Sequence, residues 1–399
     1  FNEKCYEMVS NNNESWKEYV EQMARWVDYD GAYKTMNPEF MESVMWAFKK
    51  CYEKGLIYRD YRVTPYCMHC ETSLSISDTR ESESTRLRQD RWVIVRFGTS
   101  ENINGKRVYF LAWTTTPWTL PSNLCLAVGD KLEYSYVNTE NGIYIACKNV
   151  LSNFPKIFGQ NPDIIRECKG VDLVGKEYEP LFNYFSDLKE HGAFRVVEAE
   201  YVGADEGVGI VHTAPAFGED DYWTCKKHNI PLVNPVDEKG KFTDSVTDFY
   251  DANSEKNVIE MNQDIIRYLY DNELAVADGT IEHNYPHCWR CKQPLIYKAM
   301  DAWYLNIGRL KERLIETNEE INWVPETVKH GRFGKWLANA RDWNISRNRY
   351  WSTPIPIWEC NCCGERTVFG SIQEIYEATG IRLENLHRQY MDKITLKCG

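Results

Sequence analysis

The sequence predicts an α+β chain in which one β-rich block lies between helical and cysteine-knuckle segments. Three observations carry this. Apolar residues recur at helical spacing before residue 55. Runs of β-branched and aromatic residues, separated by Gly, Asn and Asp, fill the stretch 90–282. Two Cys-x2-Cys pairs, Cys67/Cys70 and Cys288/Cys291, stand at the two ends of that stretch. With 399 residues the chain exceeds one ordinary core, and the changes of texture divide it into 1–89, 90–282 and 283–399.

The elements follow in order. Trp16, Tyr19, Val20, Met23 and Val27 predict a first helix. A second has Asn37 as cap, Pro38 at its first position, an apolar face of Phe40, Val44, Met45, Phe48 and Tyr52, and Gly55 as its stop. Strands are predicted at 92–97, 107–113, 132–137 and 142–147, and the stretch 194–213 continues in the same mode. Helices are predicted at 219–228 and at 254–272, where Val258, Ile265, Ile266 and Leu269 share a face. No repeat of 20–50 residues is present.

Composition removes several classes. Hydrophobic residues are 43% and charged residues 27%, which excludes a chain disordered throughout. No apolar run approaches the length that spans a bilayer, so no membrane partner is expected. The net charge of −12 excludes a globally basic nucleic-acid binder, and DNA is not an expected partner, but a local basic patch on an acidic body is compatible with it. The first residues lack a basic region followed by an apolar one, so no secretory signal is expected, and the start at Phe1 suggests a fragment or a processed chain. The 14 cysteines are too sparse for a disulfide scaffold, and their pairing reads as metal binding in a reducing compartment, with the cytoplasm expected.

Four thiolates from Cys67, Cys70, Cys288 and Cys291 suit a structural Zn²⁺, tetrahedral and with no open position for water. His69 and His287 flank the pairs as alternative ligands, and reduced core cysteines remain the other reading. If the pairs share one ion, it clamps the two ends of the insertion. A weaker second cluster comprises Cys360, Cys362 and Cys363, with Cys398 as the only later cysteine. Cys360, Cys363 and Cys398 make a possible second site, with free thiols as the alternative.

Two stretches carry candidate chemistry. Thr114-Thr115-Thr116-Pro117-Trp118-Thr119-Leu120-Pro121-Ser122-Asn123 follows a strand-like run. Its hydroxyls and freed backbone donors can orient a water and hold a developing oxyanion, although threonine is also simply common in strands. Gly207 to Tyr222 reads as a strand, a small-residue turn, and acidic residues opening a helix. Carboxylates suit a helix N-terminus on electrostatic grounds alone, and His212 reads equally as a satisfied core histidine. A functional reading requires both stretches to converge on one pocket.

TTTPWTLPSN and GVGIVHTAPAFGEDDY closely resemble the editing-site motifs of isoleucyl-tRNA synthetases, and Pro117-Trp118-Thr119 after the threonines favours that branch over the leucyl and valyl enzymes. The stretches on either side, RWVDYDGAYKTMNPEF to TPYC, HNYPHCWRCKQPLIYKAMDAWYL and INWVPETVKHGRFGKW to TPIPIW, resemble the approach to the inserted domain, its exit, and the return into the catalytic core in the form common to eukaryotic-type enzymes. Val208 and Ser352 depart from the usual pattern. No HIGH-type or KMSKS-type signature occurs in the 399 residues, which suggests a fragment. The resemblance implies a barrel-like editing domain, inserted between helical and zinc-knuckle segments that belong to a class I α/β catalytic domain. It implies hydrolysis of misacylated Val-tRNA(Ile), with tRNA(Ile) as partner and with ATP and Mg²⁺ used only by the full-length enzyme. Asp221 would hold the substrate α-ammonium. Thr114, Thr115 and Thr116 would position the ester and water. Asn123, His212 and Trp118 would bind substrate, Asn123 by supporting the loop and His212 by lining the side-chain pocket. A valyl- or leucyl-type editing domain is one alternative. A zinc-stapled RNA-binding module using Lys226, Lys227 and Arg267 is another.

Overall fold

A computed structural model describes residues 1–75, 78–80, 84–204, 207–347 and 350–397. The chain forms two compact units, one built from Phe1–Asp60 with Asp301–Gly399 and the other from Tyr61–Met300. Both cysteine pairs fall inside the second unit, whereas the sequence reading put them on the flanks of the insertion.

The first unit opens with helix Asn2–Gln22, none of whose residues is buried. It ends before Val27 because the backbone turns left-handed at Ala24, where φ is 54°. Helix Pro38–Glu53 follows, with Pro38 in its first turn as expected, although Asn37 gives no side-chain cap. Its buried residues are Met41 and Met45, which pack on Phe369, Ile375, Leu386 and Met391. The predicted face was therefore displaced: Val44 is 40% exposed.

The second unit holds the site. A six-stranded sheet runs in the order Ala275–Pro286, Thr85–Ile103, Lys106–Thr114, Gly142–Cys147, Glu133–Thr139, Asp163–Lys169. Its neighbours are antiparallel except Lys106–Thr114 with Gly142–Cys147, paired through Phe110 and Ile145. Alternation explains why these segments are strands. Val93, Val95, Val108, Phe110 and Ala112 point to one apolar cluster, and Ile94 and Leu111 point to a second on the opposite face. A three-stranded sheet, Ile210–Thr213, Cys125–Val128 and Arg195–Glu198, contributes Leu126, Val128, Val196 and Ile210 to the first cluster. The barrel-like expectation thus takes the form of two sheets over one core. Their hydrogen bonding does not close into a single ring among the described residues.

The four predicted strands all form, and helix Glu219–Lys227 lies where expected. The helix predicted from 254 begins only at Asn262. The Asn257 side chain accepts from the amides of Ile259 and Glu260, and the Glu260 carboxylate accepts from the Asn257 amide. These local bonds hold a turn where a helix would need the same donors. Val258 is buried all the same, just ahead of the helix that buries Ile265, Ile266 and Leu269. Among the described residues no helix is long and apolar enough to cross a membrane.

Candidate functional site

The threonine run starts at the end of strand Lys106–Thr114. Pro117 cannot continue the strand's hydrogen bonding, and the chain turns into a fully buried 3-10 helix, Pro117–Ser122. That turn is pinned from outside: the Trp118 amide donates to Asn262 Oδ1 at 2.9 Å and the Leu124 amide to the Thr213 carbonyl at 3.0 Å. The Thr116 amide donates to Thr114 Oγ1 at 3.0 Å, and the Thr114 and Thr116 hydroxyls lie 3.2 Å apart. Thr115 has no side-chain hydrogen bond among the described residues, so its hydroxyl is available to a ligand.

His212 sits on strand Ile210–Thr213, which is aligned against Cys125–Val128. Gly209 delivers it: φ there is +75°, and a Cβ would lie 2.1 Å from that of Cys147, so neither the backbone nor the space admits a side chain. Val208, the departure noted above, is buried in the apolar cluster with Leu111 and Val137. His212 Nε2 is 2.8 Å from Thr119 Oγ1, and Nδ1 is 3.0 Å from the Asn123 amide nitrogen. Burial drives its pKa down to about 3, so the ring is neutral.

Asp221 lies in the first turn of helix Glu219–Lys227, where the helix dipole favours a carboxylate. Its Oδ2 accepts the Ala214 amide at 2.8 Å. A Cβ at Gly218 would stand 2.7 Å from the Asp221 carboxyl carbon, so glycine at that position clears room for the carboxylate. Burial pushes the Asp221 pKa up to about 7, against the lowering effect of the Ala214 amide. Near neutrality Asp221 is therefore poised between its two forms.

Both stretches converge. Thr114, Thr115, Thr116, Thr119, His212 and Asp221 line one cavity of about 260 Å³, closed by Trp113, Gly207, Ile210, Val211 and Phe217. Two of the predicted residues stand behind it. Asn123 is buried and reaches the cavity only through His212. Trp118 is 3% exposed, because the 3-10 turn carries its ring into the core against Phe217 at 4.7 Å. Thr119 and Phe217 were missed as wall residues, although both lie inside the quoted motifs. Tyr178, bonded to Asn123, carried no local signal at all.

The four cysteines also meet. The sulfurs of Cys67, Cys70, Cys288 and Cys291 lie within 4.8 Å of one another, and all four thiols are free of disulfides. A tetrahedral Zn–S site needs sulfurs about 3.8 Å apart, so the donor set fits one ion. The Cys70 amide donates to Cys67 Sγ at 3.3 Å, as a tight knuckle requires. His69 and His287 stay outside the group, and His287 Nδ1 bonds the Tyr285 carbonyl instead. Cys360, Cys362 and Cys363 occupy the turn between strands Ile357–Glu359 and Arg366–Val368. Cys398 lies outside the described residues, and no third ligand joins that turn among the described ones. Of the cations considered for RNA, Lys227 pairs with Glu198 at 3.0 Å and Lys226 lies over the Tyr222 and Trp223 rings. Arg267 stands 4.0 Å from Asp264.

One unit thus carries both a threonine, histidine and aspartate cavity and a four-cysteine cluster. The chain belongs to the class I tRNA synthetase family: the model of class I tRNA synthetases (I, L, M and V) matches residues 1–398. Within the family its similarity is to isoleucine–tRNA ligases. It is 43% identical, over 99% of its length, to that of Corynebacterium diphtheriae and also to that of Rickettsia typhi. It spans 39% and 38% of those two proteins. The solved editing domain of the P. knowlesi cytosolic leucyl-tRNA synthetase aligns with a TM-score of 0.34 at 12% identity, covering 47% of this chain and 96% of that one. That likeness is too weak to bear on the site.

Proposed function

We propose that the Tyr61–Met300 unit is an editing hydrolase, which cleaves the ester of misacylated Val-tRNA(Ile) and releases valine and tRNA(Ile). The convergence of the threonine run, His212 and Asp221 on one cavity carries this reading. Ionised Asp221 pairs with the substrate α-ammonium and fixes the carbonyl against the Thr114–Thr116 hydroxyls. Those hydroxyls orient a water. The water adds to the carbonyl carbon, the bond to the terminal ribose oxygen breaks, and that oxygen leaves with a proton. His212 is neutral and hydrogen-bonded through both ring nitrogens, so it shapes the pocket wall and takes no proton from the water.

The wall also explains why such a site is useful. Isoleucine exceeds valine by one methylene, worth only about 1–3 kcal/mol in a binding pocket. A small second pocket discriminates by exclusion instead, admitting valine and refusing isoleucine.

The four cysteines hold a structural Zn²⁺, compatible with a reducing, cytoplasmic setting. In this reading the stretch 90–282 is the editing domain proper, the cysteine-bearing segments 61–89 and 283–300 belong to the same unit, and 1–60 and 301–399 belong to the catalytic domain. Adenylation of isoleucine with ATP and Mg²⁺ is left to full-length synthetases. Incubating the protein with Val-tRNA(Ile) and following free valine tests the proposal: turnover is expected, and its absence in folded, zinc-replete protein would refute it.

A further inference from the structure

One buried group behind the cavity has no part in the chemistry above. Tyr178 is 3% exposed, and its ring meets Phe97 edge-on at 5.0 Å. Burial holds its phenol well above the usual range, so it keeps its proton. Its hydroxyl donates to Asn123 Oδ1 at 2.6 Å. The Asn123 amide nitrogen then faces the Cys125 carbonyl at 3.0 Å and His212 Nδ1 at 3.0 Å. A carbonyl only accepts, so the Cys125 carbonyl favours this way round of the amide, and the Tyr178 hydroxyl, donating to Oδ1, completes the lock. His212 Nδ1 must therefore accept, and the ring proton sits on Nε2. Nε2–H donates to Thr119 Oγ1 at 2.8 Å, and the Thr119 proton goes to the Thr116 carbonyl at 2.9 Å. Every donor in this chain of bonds points the same way, from Tyr178 toward the threonine run.

We propose that Tyr178 is a positioning residue: through Asn123 it locks His212 in the Nε2–H tautomer, and so sets how the Thr119 hydroxyl faces Thr116. With the opposite tautomer, Nε2 would become an acceptor. Thr119 would turn its proton to that nitrogen and away from the Thr116 carbonyl, disturbing the hydroxyls that face the substrate. Nothing in the local sequence marks Tyr178 for this task. Its own amide bonds the Phe194 carbonyl at 3.0 Å, and its ring packs on Phe97 and Phe194. The kinetic part of this proposal rests on the hydrolytic reading, whereas the tautomer part does not.

The test is long-range proton–nitrogen NMR on protein labelled with ¹⁵N-histidine, with His212→Gln identifying the His212 signals among the eight histidines. Wild type should show Nε2–H with Nδ1 bare. Tyr178→Phe, which keeps the ring, should show mixed tautomers at His212. In the same variant, kcat for Val-tRNA(Ile) should fall about 2–10-fold with KM nearly unchanged, as expected for one lost buried hydrogen bond felt in the transition state. A wild-type spectrum with the proton on Nδ1 would overturn the proposal without recourse to any variant. So would a Tyr178→Phe protein with an unaltered His212 spectrum and unaltered kcat. Failure of the wild type to cleave Val-tRNA(Ile) would instead refute the hydrolytic reading, and the spectra alone would then decide the tautomer.

Discussion

The threonine cavity and the four-cysteine cluster both join residues far apart in sequence, but by different means. The cavity is assembled by the backbone. Strand pairing aligns His212 with Leu126, the 3-10 turn fixes Thr116 and Thr119, and a helix start presents Asp221. Thr114, Thr116, Thr119, His212 and Asp221 are held by hydrogen bonds within the protein, and the Thr115 hydroxyl is left for a ligand. The cysteine cluster brings four sulfurs within 4.8 Å of one another, and burial pushes the Cys67 thiol up. In the proposed reading, an ion that displaces the thiol protons stabilises this cluster. One site is preorganised by the fold, whereas the other, with the proposed ion bound, would help to make the fold.

This contrast is broken most severely at the cysteines. Structural zinc is worth about 10–16 kcal/mol in small peptides, so Cys67→Ala should lower unfolding stability by more than about 4 kcal/mol. Denaturant unfolding beside metal analysis checks this. A variant that keeps both its midpoint and its zinc would remove the structural role. Below its lowered transition, the variant should still cleave Val-tRNA(Ile), because nothing lining the cavity is a cysteine.

At the cavity the largest effect should fall on Asp221. Asp221→Ala removes a charged hydrogen bond worth about 1.5–3 kcal/mol, a loss of at least about 10–100-fold in single-turnover deacylation. Misplacement of the ester would add to that. An equal rate in the variant would remove Asp221 from the mechanism. The pH profile sharpens the point. Wild-type kcat/KM should rise as Asp221 ionises through about 7 and fall as the substrate amine loses its proton, and Asp221→Asn should lack the rising limb.

Stability should move in the opposite sense at the same residue. The folded-state pKa of about 7 lies above the ordinary value of 3.8, so the proton is held more tightly in the folded chain. The resulting stabilisation is complete below about 3.8 and is lost as the pH rises through about 7. Asp221→Asn has no charge to desolvate, and its Tm relative to wild type should be higher at pH 8 than at pH 4. A Tm difference independent of pH would show that the carboxyl is not strained by burial.

Much of this was legible in the sequence. Four strands of the six-stranded sheet announced themselves, two of them through Val93, Val95, Val108 and Phe110, whose alternation survives in the structure, whereas Asp163–Lys169 and Ala275–Pro286 were not foreseen. The cavity walls lay in two contiguous motifs, so Thr114–Thr116, His212 and Asp221 were found together. What escaped depends on distance. Tyr178 acts across 55 positions of sequence through a single side-chain bond, and no periodicity encodes that. Trp118 was misplaced because a buried 3-10 turn rotates its side chain inward, which composition cannot reveal. On helix Pro38–Glu53 Met45 is buried as expected, and the face differed by burying Met41 in place of Val44, methionine filling the gap that the neighbouring segment offers. The pKa of Asp221 required knowing its burial.

A smaller effect is expected at the cavity wall. His212→Ala should enlarge the pocket and let Ile-tRNA(Ile) be cleaved, with the Val-tRNA(Ile) rate changed less. Continued rejection of the isoleucyl ester by the variant would place the size limit elsewhere in the wall.

The central claim is that the fold alone builds a small hydrolytic pocket that sorts by size. Single-turnover deacylation of Val-tRNA(Ile) and Ile-tRNA(Ile) by the wild-type protein tests it most directly. The valyl ester should be cleaved and the isoleucyl ester largely spared; equal rates for the two esters would contradict the account.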